Sequence, residues 1–171
     1  MSSSPGGSGG FDISKLSRGT QVAGVAAIVL LISIFLPWAK AEASFLGVSQ
    51  SASQNGFDYL LGWLAFLCAV GVLVVIGIEL FAPQVTLPAA PSLIILALGA
   101  IAIFCTGWHV LFLSDEVDKA KQVADALNTG ADDAAGDAGA SFDAGRAWGV
   151  FVALIAAIGV TVGGYLRLNS D

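Results

Sequence analysis

The sequence predicts an all-α membrane protein, and more narrowly a transmembrane four-helix bundle. Three observations lead there: 56% of the 171 residues are hydrophobic, only 12% are charged, and the apolar residues gather in four long continuous runs. A soluble domain carries about 25% charged residues. With a mean hydropathy of +0.83, this chain has too few polar side chains to cover a water-soluble globule.

The composition excludes three further classes of protein. A disordered chain would be poor in apolar residues, and a disulfide scaffold would need more than the two cysteines present. A net charge of −6 argues against a nucleic-acid partner, because nucleic-acid binders show a basic patch. The expected surrounding of the chain is therefore a lipid bilayer.

Each apolar run is long enough to cross a bilayer, which takes about 20 mostly apolar residues. The runs are continuous rather than alternating, so they indicate helices and not transmembrane strands. The expected spans are residues 20–39, 57–81, 90–113 and 147–166, in a membrane domain covering 19–167. A flexible Gly/Ser-rich tail is expected at 1–18, and a short C-terminal tail at 168–171.

The first run has a competing interpretation as a secretory signal. Lys15 and Arg18 precede it, and the small-residue triplet Ala41-Glu42-Ala43 follows it, as at a cleavage site. The apolar stretch is longer than the usual signal core of about 7–15 residues. An uncleaved first span is therefore the favoured interpretation.

Charge distribution predicts which side of the membrane holds the termini. Lys15 and Arg18 stand immediately before the first span, where the positive-inside rule is strongest. The opposite side carries four basic residues against ten acidic ones, nine of them in its two loops and one, Asp58, at the start of the second span. We therefore expect both termini to be cytoplasmic and the loops 40–56 and 114–146 to be outside.

The second outer loop, 114–146, is expected to contain a short amphipathic helix, into which the third span either continues or turns. Ser114 suits an N-cap, and Gly130 suits a helix end. Between them, apolar side chains recur at helical spacing: Val117, Ala120, Ala124 and Leu127.

Aromatic residues concentrate towards the outer side. All four tryptophans fall near that face: Trp38, Trp63, Trp108 and Trp148. Tryptophan favours membrane interfaces, so an outer aromatic belt is the favoured interpretation. An outward-facing aromatic crevice remains the alternative.

A polar cluster is possible at the same face. Asp58, His109 and Arg146 all lie near it, and an Asp58–Arg146 ion pair would be favoured by partial burial. Three separate solvated residues are the alternative. Glu79, near the other face, is expected to be an interfacial residue.

The fourth run predicts close helix packing. Small residues recur every four positions, and a Gly-x-x-x-Gly motif lies beside them. This helix-packing face consists of Gly149, Ala153, Ala157 and Thr161, with Gly159 and Gly163. It serves either packing within the bundle or docking of a partner.

No arrangement of residues indicates catalysis. The chain has one histidine, and Cys68 and Cys105 lie inside apolar runs without nearby metal ligands. No phosphate-binding glycine loop or calcium loop is present. We therefore expect a non-enzymatic protein with no metal and no cofactor.

Several short motifs resemble a known group. FDISKLSRG before the first span, LPW at its end, NGFD before the second span and the segment GRAWGVFVALIAAIGVTVGGYLRL are similar to those of small four-span membrane proteins of actinobacteria. The resemblance implies an actinobacterial inner membrane with the N-terminus inside. That family has no characterised activity, so the resemblance assigns no site residues.

The expected function is that of an accessory or scaffold subunit in a membrane complex of the cell envelope, with a membrane-protein partner or a second copy of the chain. The alternative is a small transporter, channel or lipid-binding protein that uses the aromatic crevice. A transporter would need a polar path, and the spans offer few polar residues.

Overall fold

The computed structural model describes residues 17–45, 48–82, 84–134 and 141–170. The elements follow one another as α1 (Arg18–Ile34), β1 (Pro37–Phe45), β2 (Val48–Asn55), α2 (Leu60–Phe81), α3 (Pro91–Ala134), β3 (Ser141–Arg146) and α4 (Trp148–Leu168). The expected flexible tail lies outside the described residues as far as residue 16.

Helix α1 is shorter than the span expected at 20–39. It begins after Ser17, whose hydroxyl accepts a hydrogen bond from the Thr20 amide, and it ends at Ile34. Pro37 explains the early end, because proline disfavours the helical conformation of the residue before it. The following residues form β1 instead of a last helical turn.

Helix α2 also starts later than expected, at Leu60 rather than at residue 57. A short 3-10 turn, Gly56–Asp58, comes first. Asn55 caps this turn: its side chain accepts from the Phe57 amide, and the Asp58 carboxylate accepts from the Asn55 amide. The turn separates β2 from α2.

The third expected span and the short amphipathic helix are one continuous helix, α3, of 44 residues. Of the two expected arrangements, the third span continues into the amphipathic segment and does not turn into a separate helix. The stretch from Phe112 to Ala120 contains no glycine or proline that would stop a helix. At about 1.5 Å per residue, α3 is about 66 Å long, roughly twice the hydrocarbon thickness of a bilayer.

A three-stranded antiparallel sheet, in the order β2–β1–β3, corrects the all-α prediction. Phe45 pairs with Val48 in the hairpin β1–β2, and β1 also pairs with β3 from Ala39–Arg146 to Ser44–Ser141. The side chains from Ser49 to Gln54 are exposed. We call the end of the molecule that carries this sheet the sheet end, and the opposite end, where α1 begins and α4 finishes, the terminal end.

The helices pack side by side. α1 contacts α2 and α4, and α3 also contacts α2 and α4. Alanines occupy several of the fully buried positions, including Ala23, Ala27, Ala69, Ala153 and Ala157. Three helices are long and apolar enough to cross a membrane: α2, the Pro91–Phe112 part of α3, and α4. α1, with 17 residues, is shorter.

Candidate functional site

Trp38 occupies the centre of the junction between the helices and the sheet. Pro37 pairs with Asn55 while Ala39 pairs with Gln54, so Trp38 is the extra residue of a β-bulge. Bulges redirect a side chain, and here the indole is fully buried. Its Nε1–H donates to the Ser33 carbonyl at 2.9 Å, which satisfies an acceptor at the end of α1.

Other elements meet at the same indole. The rings of Tyr59, before α2, and His109, on α3, lie 6.4 and 5.2 Å from the Trp38 ring. The Ala147 amide, at the start of α4, donates to the Trp38 carbonyl. Gly56 passes so close that an added Cβ would come within 3.0 Å of Trp38 Cε2. We call Trp38, Tyr59 and His109 the aromatic junction.

The three residues of the expected polar cluster have different environments. His109 is buried in the aromatic junction, 4.1 Å between ring centroids from Tyr59. The Asp58 carboxylate is used in the capping of the 3-10 turn, and Arg146 is an exposed residue at the end of β3. Within the described part of the chain, Asp58 and Arg146 do not form an ion pair.

The four tryptophans also differ in their exposure. Trp63, Trp108 and Trp148 are about half exposed, as residues of an interfacial belt would be, whereas Trp38 is buried. On α3, Trp108 stacks on Phe112 with ring centroids 4.1 Å apart and adjoins Phe104. The exposed aromatic side chains thus form patches on the helix surface.

The small residues of α4 pack against two different helices, α1 and α3. An added Cβ on Gly163 would lie 2.6 Å from the Ala23 nitrogen of α1, and one on Gly159 would lie 3.0 Å from Ala26 Cβ. Thr161 instead approaches Gly99 of α3, and its hydroxyl donates to the Ala157 carbonyl. Gly149 faces the segment Leu36–Pro37 at the end of α1, while Ala153 and Ala157 are fully buried.

α1 has a complementary small-residue motif that the sequence reasoning missed. Gly19, Ala23 and Ala27 are spaced by four and buried, and an added Cβ on Gly19 would lie 2.7 Å from the Gly163 carbonyl oxygen. Small residues at this spacing let two helix backbones approach closely. The same pattern on α1 and α4 was visible in the sequence.

At the terminal end, Arg167 of α4 forms a bidentate ion pair with Glu79 of α2. Arg167 Nη1 also donates to the Thr20 hydroxyl of α1 at 3.2 Å. The side chain of Arg167 is 13% exposed and that of Glu79 is 25% exposed. This cluster ties three helices together, and the sequence analysis, which treated Glu79 as interfacial, missed it.

Two of the cavities that described residues line lie away from the aromatic junction. One, of about 480 Å³, lies at the connection between α2 and α3 and is bordered by Glu79, Thr86 and Pro91. The other, of about 490 Å³, is an apolar groove between α1 and α4 that runs from Gln21 to Val29 and from Val152 to Gly159. Among the described side chains, no group of three potential metal ligands comes together.

Compared with known proteins, the chain matches no family model and no curated sequence. Its function must therefore be argued from its own residues.

Proposed function

We propose that this chain is a non-enzymatic, four-span protein of the bacterial inner membrane, with both termini in the cytoplasm. In this proposal it is an accessory or scaffold subunit of a cell-envelope complex, and its sheet end carries the contact with a membrane-protein partner or a second copy. The four helices form one transmembrane bundle. The actinobacterial resemblance and the basic residues ahead of the first apolar run, Lys15 and Arg18, support this location and orientation.

The observation that carries the proposal is the closed interior between the helices. Alanines and glycines bring the backbones together, and the buried hydroxyls of Ser33 and Thr106 bond within their own helix. Ser33 donates to the Leu30 carbonyl, and Thr106 donates to the Ala102 carbonyl. A transporter or channel needs polar groups that face a path, and in the described interior these hydroxyls face their own backbones.

The sheet end supports a contact role. β2 and β3 each pair with β1, which leaves each of them with an outer edge in the described sheet. Such edges can pair with a further strand. The exposed side chains from Ser49 to Gln54 keep this surface polar, which suits a contact that forms in water beside the membrane.

Affinity purification in a mild detergent, followed by mass spectrometry, tests the scaffold role. We expect a partner, or a second copy, in stoichiometric amount. The double variant Ser51→Lys/Ser53→Lys, with two exposed residues of β2 changed, should lose it. The matched control Ser170→Lys changes an exposed serine at the terminal end and should retain it.

The alternative of a small transporter, channel or lipid-binding protein with an aromatic crevice makes the opposite prediction. A purified monomer without a partner, which catalyses solute flux in vesicles, would replace the scaffold proposal. Trp63 and Trp108 are half-exposed aromatic residues. If solute flux falls in Trp63→Ala or Trp108→Ala, that residue lines the crevice.

A further inference from the structure

The apolar groove between α1 and α4 has the shape of a lipid site. Its floor consists of small residues, Ala26, Ala156 and Gly159. The walls are larger side chains that stand out on either side, and Val25 and Ile155 are 64% and 69% exposed. A depression of this kind accepts a narrow apolar chain without requiring the helices to separate.

The length of the groove indicates which occupant it fits. From Gln21 to Val29 the groove follows α1 for eight residues, or about 12 Å. This is close to half of a hydrocarbon core of about 30 Å, that is, to one leaflet. An acyl chain likewise follows a helix through one leaflet, so the groove matches the reach of one lipid chain.

A basic residue stands where the headgroup would be. Arg18 lies three residues before Gln21 and four before Val22, on the same stripe of α1 as Val25 and Val29. Its side chain is exposed, and the first turn of α1 holds no acidic residue. The positive end of the helix dipole points the same way, so this end of the groove attracts an anion.

The other described basic residue at the terminal end is already paired. Arg167 makes its bidentate contact with Glu79 and a hydrogen bond to Thr20. Arg18 is therefore the arginine of this end whose charge can serve a lipid phosphate. The assignment does not depend on which leaflet the terminal end faces, because both leaflets contain phospholipids.

We propose that the α1–α4 groove binds one anionic phospholipid, with an acyl chain along Val22–Val29 and its phosphate at Arg18. The site is independent of the scaffold role, since it needs only a membrane around the helices. Arg18 supplies the preference for an anionic headgroup, and the groove supplies binding of the chain.

Photolabelling in vesicles tests the site. The purified protein is reconstituted with phosphatidylglycerol that carries a diazirine on its acyl chain, and the labelled peptides are identified by mass spectrometry. Phosphatidylcholine with the same acyl chain is the comparison probe. We expect labels to concentrate on α1 and α4, with about a fivefold preference for phosphatidylglycerol, which corresponds to about 1 kcal/mol for one basic residue.

Two variants separate the parts of the site. Arg18→Gln should remove the headgroup preference and keep the labelling of the groove. Val22→Trp, which fills the groove, should reduce labelling on α1 and α4, whereas the matched control Val74→Trp, at an exposed valine of α2, should not.

Three outcomes would overturn the proposal. Labels spread evenly over α2, α3 and α4 would indicate ordinary surrounding lipid. An unchanged headgroup preference in Arg18→Gln would remove the headgroup assignment. Disulfide cross-linking between two copies of a Val25→Cys variant, at the expense of lipid labelling, would show that a second copy occupies the groove.

Discussion

Substitution of Trp38 by alanine should be among the most damaging single changes in this protein. The indole is fully buried and touches residues from several elements. Replacing a buried tryptophan by alanine costs about 3–5 kcal/mol, because transfer free energy is lost and a cavity remains. The Ser33 carbonyl also loses one of its two donors and keeps the Leu36 amide.

A second variant, Trp38→Phe, isolates the hydrogen bond. Phenylalanine keeps most of the aromatic contact with Tyr59 and His109 and removes only the Nε1–H that bonds to Ser33. Because the Ser33 carbonyl still accepts from the Leu36 amide, the loss of this one hydrogen bond costs about 0.5–1.5 kcal/mol. The loss of free energy of unfolding should therefore be smaller than for Trp38→Ala.

Equilibrium unfolding in mixed micelles, with increasing sodium dodecyl sulfate and far-ultraviolet circular dichroism as the signal, measures both variants. Trp148→Ala is the matched control, since Trp148 is 58% exposed, and we expect a change within about 0.5 kcal/mol. Equal losses for Trp38→Ala and Trp148→Ala would refute the reasoning, because the indole at Trp38 would then behave as a belt residue.

Three further predictions concern the terminal end and the α1–α4 contact. Glu79→Gln and Arg167→Met should each lower the free energy of unfolding by about 2 kcal/mol, because each leaves the other charge without its partner. A double-mutant cycle should show a coupling energy above about 0.5 kcal/mol, and additive losses would contradict the ion pair. Gly163→Ala should cost about 1–3 kcal/mol, since its Cβ would meet the Ala23 backbone, whereas Gly77→Ala, with nothing within 4 Å, should cost nothing in the same assay. A reporter enzyme that is active only outside the cell, fused after Asp171, should stay silent, and activity would reverse the proposed orientation.

The sequence predicted the helices well and their ends poorly. Long apolar runs carry a strong local signal, so each helix was expected close to where it lies. The ends depend on single residues and on pairing. Pro37 stops α1 before residue 39, and the absence of a glycine or proline between Phe112 and Ala120 lets α3 continue.

The sheet could not be predicted in the same way. Strand β1 has few β-branched residues and pairs with β3 from about a hundred residues further along the chain, so no local pattern indicates the pairing. The burial of Trp38 follows from the bulge in this sheet. Without the sheet, a tryptophan after a proline at the end of a span looks like an interfacial residue.

The Glu79–Arg167 pair was within reach of sequence reasoning. Each residue lies near the end of its helix, and with an even number of spans both ends face the same side. An acid and a base at equal depth near one membrane face favour pairing, because each alone is costly there.

At the terminal end, one acidic and one basic residue pair with each other, and Arg18 is the described charge that remains. Glu79 and Arg167 neutralise each other inside the helix packing, so the described charge that this end offers to its surroundings is that of Arg18. A single positive charge beside an apolar groove suits a phospholipid, whereas the sheet end offers polar strands with open edges. The two ends therefore make separable predictions: Arg18→Gln should change lipid preference and leave partner capture intact, while Ser51→Lys/Ser53→Lys should do the reverse. A variant at either end that altered both properties would mean that lipid and partner share one site.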